Sequence, residues 1–106
     1  MSATVTGLLT LVLIFGFALA TLRVRRKEIP VALSMTHGFL AAGALTLLLF
    51  RAFTEPVSAI HITGCSLLVV AFALGLTAHF RRKTIVTVYG HALAAMIGFT
   101  LVVATL

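Results

Sequence analysis

The chain has 106 residues, 61% of them hydrophobic and 9% charged, with a formal net charge of +6 and a mean hydropathy of +1.23. A soluble domain carries about 25% charged residues, and one this small cannot hide so much apolar surface. Disorder is excluded by the same composition, and a disulfide scaffold by a single cysteine, Cys65.

The expected solvent is therefore lipid, where a span needs about 20 apolar residues. Four stretches meet that length, 1–22, 30–50, 57–78 and 86–106, and together they take 86 of the 106 residues. Each must satisfy its backbone internally, so each is expected to be a helix. Short loops join antiparallel neighbours. The expected fold is all-α, a single transmembrane domain over 1–106 built as an up-down-up-down four-helix bundle.

The first span opens Met1-Ser2-Ala3-Thr4 with no basic residue ahead of its long apolar run. It reads as a retained helix rather than a secretory signal. The loop after it, 23–29, holds Arg23, Arg25, Arg26 and Lys27. The second span begins at Pro30, a residue suited to a first helical turn, and carries His37. Arg51 and Glu55 follow in the second loop, four apart and spaced to pair if the helix runs that far. Pro56 suits the first turn of the third span, which carries His61 near its start and Cys65 as apolar filler. The third loop, 79–85, holds His79, Arg81, Arg82 and Lys83, and Thr84 suits the N-cap of the last helix. That helix carries Tyr89, read as an interfacial anchor, and His91.

Seven of the eight basic residues thus lie in the first and third loops. The positive-inside rule puts both loops in the cytoplasm and both termini outside, with a bacterial inner membrane as the expected location. Topology accounts for the basic charge, so no nucleic-acid partner is expected. Arg25, Arg26, Lys27, Arg81, Arg82 and Lys83 are instead placed to meet anionic lipid headgroups.

The sequence reads as one hairpin written twice. Val5-Thr6-Gly7 recurs as Ile62-Thr63-Gly64 at an offset of 57, and Arg25-Arg26-Lys27 as Arg81-Arg82-Lys83 at 56. His37 with Ala41 recurs as His91 with Ala95 at 54. Copies of two spans each keep the same orientation, related by an axis along the membrane normal.

Ionisable residues inside a span point to function. His79 is expected at the cytoplasmic surface, and His61 near the outer end of the third helix, bonded to a neighbour or a headgroup. His37 and His91 each lie about 10 Å along a helix from the cytoplasmic side. They are expected at matching depth on helices diagonal in the bundle, with axes roughly 12–14 Å apart. Two imidazoles facing each other there could hold one haem iron. Five of the six stripe positions beyond them (Leu40, Ala41, Ala44, Ala94, Ala95 and Gly98) are Ala or Gly, which leaves room for something flat. Gly7, Gly16, Gly64 and Gly75 are expected to add open surface on the first and third helices. Small residues also serve ordinary close packing, and histidines can bond across helices without any metal.

With its paired intramembrane histidines and basic cytoplasmic turns, the chain resembles the four-helix transmembrane b-type cytochromes, the cytochrome b561-like proteins. The resemblance covers the bundle, His37 and His91, and the two turns. It implies haem b, electron transfer, and commonly a quinone as redox partner, or ferric-reductase or superoxide-related chemistry. Members often carry two haems and more histidines, whereas this chain offers one clean pair. A sister reading is a haem-bearing small subunit of a respiratory complex. Arg51, Glu55 and His61 are the candidates for an outer polar site where a quinone could dock.

Two rival classes stand beside this. A small multidrug exporter of similar length needs a carboxylate deep in a span, and the two acids here, Glu28 and Glu55, are both in loops. A non-catalytic subunit or assembly partner, packed in a larger membrane complex or as a homodimer, needs no such charge.

Overall fold

The computed structural model describes residues 2–81 and 83–106. Arg82 lies outside the described residues. Four helices follow one another: α1 (Ser2–Val24), α2 (Val31–Thr54), α3 (Ala59–Phe80) and α4 (Ile85–Ala104). No strand occurs among the described residues. All four helices are long and apolar enough to cross a membrane. At 1.5 Å per residue, their 20 to 24 residues reach about 30–36 Å, which matches a hydrocarbon core.

The side chains on the helix surfaces fit that solvent. Phe17, Phe39, Phe53, Phe80, Ile85 and Val86 are exposed, a distribution that water would penalise. Exposed hydroxyls turn back into their own helices. Thr10 donates to Thr6 O at 2.7 Å, Thr36 to Ala32 O at 2.7 Å and Ser66 to Ile62 O at 2.9 Å. A hydroxyl facing lipid needs such an internal acceptor.

The helix ends refine the expected boundaries. Pro30 acts at the start of α2 through its carbonyl, which accepts from Ser34 N at 3.2 Å. Pro56 does not occupy a first turn, contrary to expectation. Ser58 caps α3 instead, its hydroxyl accepting from His61 N at 3.1 Å. Pro56 stands before that cap because Ser58 can satisfy an orphan N–H and proline cannot. Thr84 caps α4 as expected, in a reciprocal box with Thr87. The second helix runs four residues past the expected end at 50. Arg51 Nε meets Glu55 Oε2 at 3.3 Å across that extra turn.

The first helix closes on Arg26, whose φ is 54°. Lys27 N bonds Leu22 O at 2.9 Å and Arg26 N bonds Arg23 O at 3.0 Å, the crossed pair of bonds that ends many helices on a left-handed glycine. An arginine there carries a steric cost that glycine avoids. Arg26→Gly should therefore raise thermal stability in detergent by about 1 kcal/mol, read from a circular dichroism melt.

The chain divides into two compact units, one ending at Thr46 and one from Leu47 to Leu106. In the first, α1 and α2 meet at His37, which bonds to Val12. In the second, α3 and α4 run antiparallel, with His61 against Thr105, Gly64 against Val102 and Gly75 against His91. Their approach is close: a Cβ on Gly64 would lie 2.8 Å from Val102 Cγ2, and one on Gly98 3.0 Å from Gly64 O.

Candidate histidine sites

His37 projects from α2 onto α1, where its Nδ1 lies 3.0 Å from Val12 O. Its ring rests on Gly16, whose missing Cβ would sit 3.2 Å from His37 Cε1. His91 repeats this in the second unit. Its Nδ1 lies 2.6 Å from Ala71 O, and a Cβ on Gly75 would sit 3.0 Å from both Cε1 and Nδ1. In each case the glycine is four residues beyond the carbonyl. A helical side chain covers the turn before its own Cα. Glycine at that place uncovers the carbonyl, which can then accept a second hydrogen bond from outside the helix.

The bond decides the tautomer. A carbonyl only accepts, so Nδ1 carries the proton, and in the neutral ring the lone pair is on Nε2. Metal-ligating histidines are arranged this way, with the second nitrogen donating to a carbonyl or carboxylate. The same bond also ties two helices together without any metal.

These contacts correct the expected repeat. Gly7 and Gly64, aligned at the offset of 57, are not equivalent in packing. A Cβ on Gly7 would meet nothing within 4 Å, whereas Gly64 is tight against Val102. The structural equivalents are Gly16 with Gly75, 59 positions apart, and His37 with His91, 54 apart. They correct the expected open surfaces as well. Gly16 and Gly75 are filled by imidazoles and Gly64 by Val102, leaving Gly7 open as expected. On the stripes beyond the histidines, Ala44, Ala94 and Gly98 are buried, and Gly98 is spent on close contact with α3.

His61 is 1% exposed, far more buried than an interfacial residue would be. Its Nδ1 lies 2.9 Å from Thr105 Oγ1. The single Thr105 hydroxyl proton has acceptors in its own helix, Leu101 O at 3.0 Å or Val102 O at 2.9 Å. Oγ1 is therefore the acceptor and His61 Nδ1 the donor. His61 Nε2 is buried without a hydrogen-bond partner. Thr105→Val would leave the Nδ1 proton unbonded too, at a cost of about 1–3 kcal/mol. A lowered melting temperature in detergent is the expected readout.

The remaining site residues fall as follows. Arg51 and Glu55 pair at the end of α2. His79 is exposed and stands edge-on to Phe80, with ring centroids 4.6 Å apart. Arg25, Arg26, Lys27, Arg81 and Lys83 are exposed. Sequence reasoning missed Val12 O, Ala71 O and Thr105. The available signal was the placing of Gly16 and His37, and of Gly75 and His91, at similar distances on either side of a basic turn.

Among the described residues, no group of three or more His, Cys, Asp or Glu side chains gathers to hold a metal ion. Axial haem ligation asks for two imidazoles rather than such a cluster. Compared with known proteins, the chain matches no family model, no curated protein and no solved structure.

Proposed function

We propose that this chain is an integral membrane haem b protein that transfers electrons, with His37 and His91 as its ligating histidines. The observation that carries the reading is the repeated geometry: a histidine donating Nδ1–H to a glycine-uncovered carbonyl, once in each unit. The donor set fits haem, since each ring is held in the tautomer whose Nε2 carries the lone pair. Bound haem would supply one-electron chemistry by cycling between ferric and ferrous iron. The protein's own part is to orient the two rings through main-chain bonds and to keep them in apolar surroundings.

The finer architecture belongs to the same proposal. Two hairpins of similar internal design form an up-down-up-down bundle, with both basic turns in the cytoplasm of a bacterial inner membrane and both termini outside. Arg25, Arg26, Lys27, Arg81 and Lys83 then meet haem propionates or anionic lipid headgroups, and Arg51 and Glu55 lie at the outer surface, where a quinone could exchange electrons, while His61 is enclosed against Thr105.

A second reading has its own support. The close fit of Gly98 on Gly64 and the seating of both imidazoles on glycines favour a packing role, as in a non-catalytic subunit of a larger membrane complex or a homodimer. The visible spectrum separates the two. After expression with ample haem, the purified protein in detergent should show a Soret band and, on dithionite reduction, sharp α and β bands. Their absence sinks the haem proposal and leaves the packing role.

A further inference from the structure

We infer that His61 and Cys65 form a site for one monovalent soft metal ion of the copper(I) class, apart from His37 and His91. The two residues are one helical turn apart on α3, and both are buried. This spacing puts their side chains on one face. His61 has its Nδ1 proton committed to Thr105, so its lone pair is on Nε2, which is buried and unpartnered. Thr105 thereby plays the part of the outer partner that orients a ligating imidazole.

Cys65 is a free, buried cysteine, and thiolate sulfur selects soft metals. Charge narrows the choice. Both residues are buried, and an uncompensated charge in apolar surroundings is costly, so the complex favoured is one without net charge. A thiolate with copper(I) and a neutral imidazole has no net charge, whereas zinc(II) would leave one positive charge in apolar surroundings. Zinc also takes four ligands in closed structural sites, and among the described residues no third ligating side chain joins these two. Copper(I) is satisfied by two. Binding forms one Cu–S and one Cu–N bond and releases the thiol proton to the medium, with no change of oxidation state.

The test is an anaerobic titration of the purified full chain in detergent, with copper(I) supplied by a chromophoric chelator. One copper per chain should leave the chelator, with new ultraviolet absorption from the thiolate–copper bond. Cys65→Ser and His61→Asn should each weaken the withdrawal by roughly 100-fold, and Thr105→Val by about tenfold. His61→Asn keeps an N–H to donate toward Thr105; should it unfold, the near-isosteric Cys65→Ser carries the test. His37→Ala and His91→Ala should leave the titration unchanged, so a failure of the haem proposal is read separately. Copper uptake that survives Cys65→Ser, or a native chain that withdraws no copper, overturns the inference.

Discussion

His37→Ala and His91→Ala, each alone, are expected to abolish the low-spin haem spectrum, while His61→Ala and His79→Ala leave it intact. The asymmetry follows from geometry. His37 and His91 are held by main-chain carbonyls across a helix pair, whereas His79 is at an exposed helix end and His61 is tied to Thr105. Loss of haem need not mean loss of fold. Val12 O and Ala71 O remain acceptors within their own helices, and the side-chain bond to each is worth about 1 kcal/mol. His91→Asn sharpens the point, because its amide can still donate toward Ala71 O but lacks the imidazole nitrogen. It should keep the melting temperature to within about 1 kcal/mol and still lose the α and β bands. Equal loss of the bands on replacing any of the four histidines would sink the assignment.

The largest effect on stability is expected at Gly64. Gly64→Leu should cost about 3 kcal/mol, because its Cβ would stand 2.8 Å from Val102 Cγ2 and 3.0 Å from Val102 N. The valine methyl can rotate aside, but the backbone nitrogen cannot move without parting α3 from α4. Gly75→Ala should cost less, since its Cβ would meet the His91 imidazole at 3.0 Å, and a side chain can shift. That shift pulls Nδ1 away from Ala71 O, so Gly75→Ala should also weaken any haem bands. Gly16→Ala meets His37 at 3.2 Å and should be milder. Gly7→Ala meets nothing within 4 Å and should gain up to about 1 kcal/mol from helix propensity. Unfolding in denaturing detergent, followed by circular dichroism, gives the order. Gly64→Leu tolerated as well as Gly7→Leu would refute the packing argument.

These four glycines look alike in the sequence and behave differently in the molecule. Gly16 and Gly75 uncover carbonyls, Gly64 admits a neighbouring helix, and Gly7 does none of these. Composition could not rank them, because a glycine's role depends on what stands opposite it. The repeat was misaligned on α1 and α3 for the same reason. Apolar triplets such as Val5-Thr6-Gly7 match by residue type, whereas packing register follows the partner's protrusions. His61 was expected near the outer end of its helix, bonded to a neighbour or a headgroup; the neighbour is Thr105 at the end of α4, whose return encloses the ring.

The sequence by itself determined the elements. In lipid, apolar runs of membrane-spanning length separated by short polar turns can satisfy their backbones only as helices, and four helices are found among the described residues where four were expected. Thr84 as a cap and the Arg51–Glu55 pair were legible too, because caps and i,i+4 pairs are set by local spacing. Only the tertiary structure decided what each histidine touches, which nitrogen carries its proton, and which small residues are filled. Those depend on atoms contributed by a second helix 20 to 44 positions away, and no local periodicity encodes that distance.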